Sequence, residues 1–154
     1  MSEELKKLGL DFLEKYALNV SLMKSNDRIV VEIKPEDLPN VIKSLIEKFS
    51  ETGVLLSTIA GVDLPDEESI MINYFINLIN LKRYIVLRTK LNRNNPRIKS
   101  LLTLGINGAL SGECETYDLL GVVFDGNKYL KRGFFVPIDI AEKGIFPLRK
   151  EFKV

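Results

Sequence analysis

The chain has 154 residues, with 22 Lys and Arg against 21 Asp and Glu, one Cys, no His and no Trp. That length predicts one domain with room for a sizeable core, and the balance of apolar and charged residues is that of a globular rather than a disordered protein. Without His there is no Ser-His-Asp triad, no His general base and no His metal ligand, and a single Cys allows neither an internal disulfide nor a Cys-ligated cluster held by this chain alone.

In chain order, Leu5, Leu8, Phe12, Leu13 and Tyr16 fall at helical spacing and predict one amphipathic first helix. Val20–Met23 and Arg28–Lys34 read as two short strands around a Ser25-Asn26-Asp27 turn. Pro35 opens a second helix, whose stripe is Leu38, Val41, Ile42, Leu45, Ile46 and Phe49, with Gly53 expected at its C-cap. Val54 to Leu64 predicts a third, largely buried strand. Glu68 to Ile79 alternates with period two, placing Ile70, Ile72, Tyr74, Ile76 and Leu78 on one face. After a turn at Asn80-Leu81-Lys82, Arg83 to Leu91 supplies the partner strand of a long hairpin. Asn92 to Asn95 is a polar loop closed by Pro96. Helical spacing resumes at Ile98 and runs to about Leu120, interrupted at Gly105 and Gly108. Beyond Gly121 the periodicity is lost.

The expected fold is α+β, a two-layer sandwich in which a mixed five-stranded sheet carries helices on one face, in the order α-β-β-α-β-β-β-α. Residues 1–121 are expected to form the α/β domain, and residues 122–154 an extended C-terminal tail that lies across this domain or across another protein.

Charge is distributed unevenly. Residues 1–68 carry 8 basic and 14 acidic side chains, residues 69–112 carry 7 basic and no acidic ones, and residues 113–154 carry 7 of each. A stretch without carboxylates either faces an acidic partner or complements the acidic part of its own domain. One functional reading of it is a nucleic-acid-binding module using the basic 82–99 hairpin and loop, with Lys82, Arg83, Arg88, Lys90, Arg93, Arg97 and Lys99 near Tyr74, Phe75 and Tyr84. The carboxylates Asp63, Asp66, Glu67 and Glu68 form a loop that is expected to be solvated rather than to bind a cation. The longest apolar candidate, Ile70 to Leu91, is interrupted by Asn, Lys and Arg, so no membrane span is expected. The charged N-terminal residues, with no apolar stretch after them, and the single Cys point to the cytoplasm.

The most specific string is Glu113-Cys-Glu115-Thr-Tyr117-Asp118-Leu-Leu-Gly121-Val-Val-Phe124-Asp-Gly126, followed by Leu130-Lys-Arg132 and by Pro147-Leu148-Arg149-Lys150-Glu151-Phe152. Glu115 and Asp118 lie one turn apart near a helix end that Gly121 can cap, and Gly126 permits a tight reversal. Arg132 and Arg149 are natural bidentate partners for these carboxylates or for those of another chain. Cys114 is expected to be a small buried residue.

This segment resembles the C-terminal signature of the thirty-kilodalton (C) subunit of respiratory NADH dehydrogenase, complex I, a module shared with membrane-bound energy-converting hydrogenases. Thr58-Ile-Ala-Gly-Val-Asp63, Ile72-Asn-Tyr74 and Pro96-Arg-Ile98-Lys-Ser100-Leu101 extend the resemblance over most of Val54 to Phe152. Three departures, Cys114 for the usual Arg, Leu120 for the usual Phe, and Asn127 where His is frequent, imply a divergent branch such as an archaeal or hydrogenase-type relative.

The resemblance implies a non-catalytic structural subunit of a membrane-associated oxidoreductase complex, peripheral on the cytoplasmic face of the cell membrane. It implies docking on the hydrogenase-like large catalytic subunit, of the forty-nine-kilodalton type, beside the iron–sulfur subunits, with the 122–154 tail lying on that partner subunit and mobile when the chain is alone, and with the membrane arm contacted only indirectly. No cofactor is expected on this chain; Fe–S clusters, and Ni–Fe in a hydrogenase-type complex, belong to the partners. No nucleic acid and no catalysis by the chain alone are expected. The partner-binding residues implied are Glu115, Tyr117, Asp118, Gly121, Gly126, Arg132, Pro147, Leu148, Arg149 and Lys150.

Overall fold

The alternation of apolar side chains in the middle of the chain makes strands, and the computed structural model, which describes residues 2–23 and 28–151, builds the fold around them. The elements are α1 (Ser2–Lys7), β1 (Ala17–Leu22), β2 (Arg28–Ile33), α2 (Leu38–Phe49), β3 (Val54–Leu64), β4 (Ser69–Leu78), β5 (Arg83–Asn92), β6 (Arg97–Lys99), α3 (Ala109–Leu120), β7 (Val123–Asp125) and α4 (Ile138–Glu142). A five-stranded sheet has the order β1-β2-β5-β4-β3, with β1 antiparallel to β2 and β2 parallel to β5, so it is mixed as expected. The Ser25-Asn26-Asp27 turn lies outside the described residues.

The chain forms two compact units. The first comprises residues 1–58 and 73–89. In it β2 and β5 are central, and their apolar runs Ile29–Val31 and Ile85–Leu87 are buried, as central parallel strands require. Tyr74, Ile76 and Leu78 of β4 are fully buried, and α2 buries the stripe Leu38, Val41, Ile42, Leu45 and Phe49.

Two expectations fail here. The single helix expected over Leu5–Tyr16 ends at Lys7, because Gly9 takes a left-handed conformation (φ 66°) and closes it. Leu10 N then donates to Leu5 O at 2.8 Å and Gly9 N to Lys6 O at 3.0 Å, a Schellman arrangement. Leu10 and Leu13 still reach the core from a 3₁₀ turn at Asp11–Leu13. Gly53 is not the C-cap of α2; Ser50 is, at φ 68°. Gly53 is there because a Cβ at that position would lie 1.9 Å from Phe49 O.

The second unit comprises residues 59–72 and 90–154. Ile98, expected to begin a helix, lies in β6, which pairs in parallel with β7 through Arg97↔Val123, Ile98↔Phe124 and Lys99↔Asp125. A 3₁₀ turn at Leu101–Leu104 follows, stopped by Gly105, and α3 begins only at Ala109. Residues 122–151, expected to be an extended tail with little regular structure, belong to this unit with α3 and carry β7 and α4. β3, expected to be largely buried, buries only Val54, Leu56, Ile59 and Asp63 and exposes most positions between them.

Candidate functional site

Helix α3 ends on Gly121 (φ 76°), whose N–H donates to Tyr117 O at 2.8 Å. One turn before that end, the fully buried Asp118 carboxylate faces residues 132–136. Its Oδ1 accepts from Arg132 Nε (2.9 Å) and Gly133 N (3.0 Å), and its Oδ2 from Phe135 N (2.7 Å) and Val136 N (2.9 Å). Burial pushes this carboxyl up, but the backbone donors of Val136 and Phe135, the Arg132 guanidinium and the Gly133 amide outweigh it and hold the pKa down at about 2. Arg132 also bonds Ile145 O, and its guanidinium lies 4.2 Å from the centre of the Phe146 ring.

The Pro147–Lys150 string is tied inside the same unit. Arg149 Nε donates to Leu120 O (2.8 Å), satisfying a carbonyl at the end of α3, and Arg149 Nη1 donates to Arg93 O (3.2 Å). Leu148 N donates to Leu119 O and Lys150 N to Asp63 Oδ2 (2.8 Å). Asp63 in turn accepts both Arg93 Nε (2.7 Å) and Nη2 (2.9 Å), and the Arg93 side-chain bond holds its carboxyl below the usual range. Arg93 also pairs with Glu151.

Of the residues implied by the resemblance, Asp118, Arg132 and Arg149 are thus brought together as an internal brace. Arg149 meets carbonyls there rather than a carboxylate. Gly121 and Gly126 are backbone solutions: a Cβ on Gly121 would stand 2.8 Å from Phe146 Cζ, and one on Gly126 2.4 Å from Thr103 Cγ2. Tyr117 and Pro147 are half-buried, while Glu115, Leu148 and Lys150 face outward.

A second buried carboxylate lies in the motif without having been singled out by spacing. Glu113 Oε2 accepts from Ser100 Oγ (2.7 Å) and Asn127 Nδ2 (2.8 Å), and Oε1 from Leu101 N (2.8 Å). Burial without a cation raises its pKa above the ordinary value of 4.5, against the three donors. The position that often holds His in the resembled signature, Asn127, is therefore an amide donor to Glu113. Cys114 beside it is buried, as expected, and burial pushes its thiol up.

The basic segment is largely neutralised from within. In the first unit Arg88 pairs with Glu32 and bonds Asn73; in the second, Lys90 pairs with Glu67, Arg93 with Asp63 and Arg97 with Asp125. Four of the seven cations of the nucleic-acid reading are engaged this way. Among the described residues no group of three or more His, Cys, Asp or Glu is placed to hold a metal ion, and no helix is long and apolar enough to cross a membrane.

Comparison with known proteins agrees with this anatomy. The family described as respiratory-chain NADH dehydrogenase, 30 Kd subunit, matches residues 31–154. The NADH-quinone oxidoreductase (C) subunit of Rickettsia prowazekii (strain Madrid E) is 28% identical over 150 residues, covering 96% of this chain and 73% of that protein. The corresponding F(420)H(2) dehydrogenase (C) subunit of Methanosarcina mazei is 32% identical over 98 residues, 64% of this chain and 60% of its own length. The chain spans about half (52%) of the Candida albicans mitochondrial NADH dehydrogenase iron-sulfur protein 3, to which it is 29% identical. The fold is that of a chain in the membrane-bound sulfane sulfur reductase, an archaeal respiratory membrane complex (TM-score 0.76, 22% identity, 99% of this chain and 87% of that one). It is also that of the trypsin-resistant fragment of Nqo5 (TM-score 0.66, 21% identity, 84% of this chain and 100% of that one). With the match running from β2 through the whole of the second unit, this chain belongs to the family of the respiratory-chain NADH dehydrogenase 30 Kd subunit.

Proposed function

We propose that the chain is a non-catalytic structural subunit of a membrane-associated oxidoreductase complex and that it docks, through the second unit, on the hydrogenase-like large catalytic subunit beside the iron–sulfur subunits. The observation that carries this reading is the family match over residues 31–154. The names of the relatives add a second support: one is a subunit of an NADH-quinone oxidoreductase, another of an F(420)H(2) dehydrogenase. The same module beside different electron donors suits a part that organises the machine rather than one that reads the donor.

The chemistry of the chain points the same way. Its buried carboxylates Asp63, Glu113 and Asp118 are consumed by internal hydrogen bonds, and its thiol is buried. A general acid or base must reach a substrate proton, and these groups face donors of their own chain. In this proposal the chain binds no cofactor; Fe–S clusters, and Ni–Fe in a hydrogenase-type complex, belong to the partners. It sits peripherally on the cytoplasmic face of the membrane.

The test is to tag the chain in its native host, extract membranes in mild detergent and identify what co-purifies. The expected result is a hydrogenase-like large subunit with iron–sulfur subunits, and a purified chain without NADH-oxidising or hydrogenase activity of its own. Recovery of the chain alone from the soluble fraction would overturn the proposal.

A further inference from the structure

The second unit presents a groove of about 450 Å³ beside the outer side of α3, lined by Leu110, Cys114, Tyr129, Leu130 and Phe134. Lys128 and Lys131, with Ser111, complete its wall, and among the described residues no carboxylate lines it. Their ammonium groups lie 5.5 Å from the ring centres of Tyr129 and Phe134 respectively, so the cations stand at the aromatic faces. The apolar exposure continues past the groove: Tyr129 and Phe134 are each 55% exposed, Ile138 67%, and Phe135 stacks edge-on against Phe134 at 4.9 Å. Four large apolar side chains held in solvent within ten residues are a cluster, not scattered singles.

This surface is also pre-shaped. At one end the Asp118 carboxylate fixes residues 132–136 through three backbone N–H groups, of Gly133, Phe135 and Val136, and the Arg132 guanidinium. At the other, Glu113 holds Asn127, and Asn127 Oδ1 accepts from Tyr129 N at 2.9 Å. Two buried carboxylates therefore set the walls before any partner arrives. A braced aromatic loop loses little entropy on binding, and aromatic anchors in a concave site dominate interface energy.

Resting on the subunit reading above, we infer that this groove receives a segment of another subunit of the complex, one that inserts an apolar side chain between Tyr129 and Phe134 and flanks it with Asp or Glu to meet Lys128 and Lys131. The charge decides the chemistry of the occupant, because two lysines at aromatic faces, with the nearby carboxylates turned inward to their own donors and none in the lining, complement acidic side chains. The concave shape favours an inserted peptide segment over a lipid surface, which a convex patch serves better.

The experiment uses the full-length chain in its native complex. A photoreactive benzoylphenylalanine is placed at position 134, crosslinked in membranes, and the crosslinked peptide is sequenced. In parallel, partner recovery is measured for Lys128→Glu with Lys131→Glu, for Tyr129→Ala with Phe134→Ala, and for Lys82→Glu in the first unit as a control, each checked by thermal melt for an intact fold. The expected result is a crosslink to a segment of another subunit with Asp or Glu beside an apolar residue. Recovery should fall at least about tenfold for both double variants and stay unchanged for the control. Crosslinks to lipid or to a second copy of this chain, or undiminished recovery with folded double variants, would overturn the groove while leaving the subunit reading standing. A wild-type chain that recovers no partner removes both.

Discussion

Asp118 and Glu113 are both fully buried, yet burial prevails at only one of them. At Asp118 the donors win and the pKa falls to about 2. A carboxyl depressed in the folded state gives stability that is complete above its ordinary value of 3.8 and is lost as pH falls through about 2. The shift corresponds to roughly 2 kcal/mol. Asp118→Asn sets an NH₂ against donors and unpairs Arg132, so it should cost about 3 kcal/mol near neutral pH, read as a lower urea midpoint. That gap should narrow between about pH 4 and pH 2; a gap constant with pH would show that the ionised form is not what holds the loop. Glu113 behaves with the opposite sign. Its pKa is raised, so its folded form retains the proton longer, and its ionisation erodes stability as pH rises above 4.5. Glu113→Gln leaves Asn127 Nδ2 or Leu101 N without an acceptor and should cost about 1–3 kcal/mol at low pH. The difference from wild type should shrink as pH rises, measured by paired melts across pH 4–8. Of these two residues, only Asp118 was legible in sequence, from its distance to Gly121 and Arg132. Glu113 binds Ser100 and Asn127, 13 and 14 residues away on opposite sides, and no local periodicity marks such a triangle.

The strands were the most legible elements because burial on one face writes a period of two directly into β4, and its Ile70, Ile72, Tyr74, Ile76 and Leu78 are all buried. What failed to show were the places where backbone chemistry overrides periodicity. Leu5 and Leu13 of the expected stripe are buried and Leu8, Phe12 and Tyr16 half-buried, but Gly9 divides the stripe between a helix and a 3₁₀ turn. Likewise β6 and β7 pair in parallel across more than twenty residues, and three-residue strands leave no alternation to read. Gly121 is the opposite case, legible as the stop of α3 and explained by contact. Its φ of 76° disfavours a side chain, and an added Cβ would press on Phe146, the ring on which both Arg132 and Arg149 rest. Gly121→Ala should therefore cost about 2 kcal/mol, more than the backbone alone explains. Gly121→Ala in a Phe146→Leu background should cost less, because the longest reach of the ring is gone. Equal costs in the two backgrounds, from chemical denaturation, would show that only the backbone conformation matters.

Across the molecule the charge map was visible in sequence, but its use was not. The carboxylate-free stretch 69–112 finds acids from elsewhere in the chain, Glu32 in the first unit and Asp63, Glu67, Asp125 and Glu151 in the second. Distant complementary charges cannot be matched from sequence without the fold that brings them together. The same pairs bear on the C-terminal residues, which lack periodicity and were expected to be mobile without a partner. Asp63 takes Lys150 N, Leu120 O takes Arg149 Nε, and Phe146 covers Gly121. These contacts are latches on the last segment that the chain supplies from within itself. A chain ended after Ile145 would leave Asp63 with Arg93 alone and the Leu120 carbonyl without its guanidinium donor. The lost hydrogen bonds of Leu148 N, Arg149 and Lys150 N, the lost Arg93–Glu151 pair and an uncovered ring site together amount to about 3 kcal/mol after the solvent-exposed contacts are discounted. In a protein of this length that is a fall in Tm of roughly 5–10 °C. The same truncation should speed tryptic cleavage at Arg132, whose guanidinium loses the Phe146 ring and whose loop then opens more often. If the isolated full-length chain is instead cut at Arg132 as fast as the truncated one, and melts at the same temperature, the latches contribute nothing without a partner and the segment is ordered by docking alone.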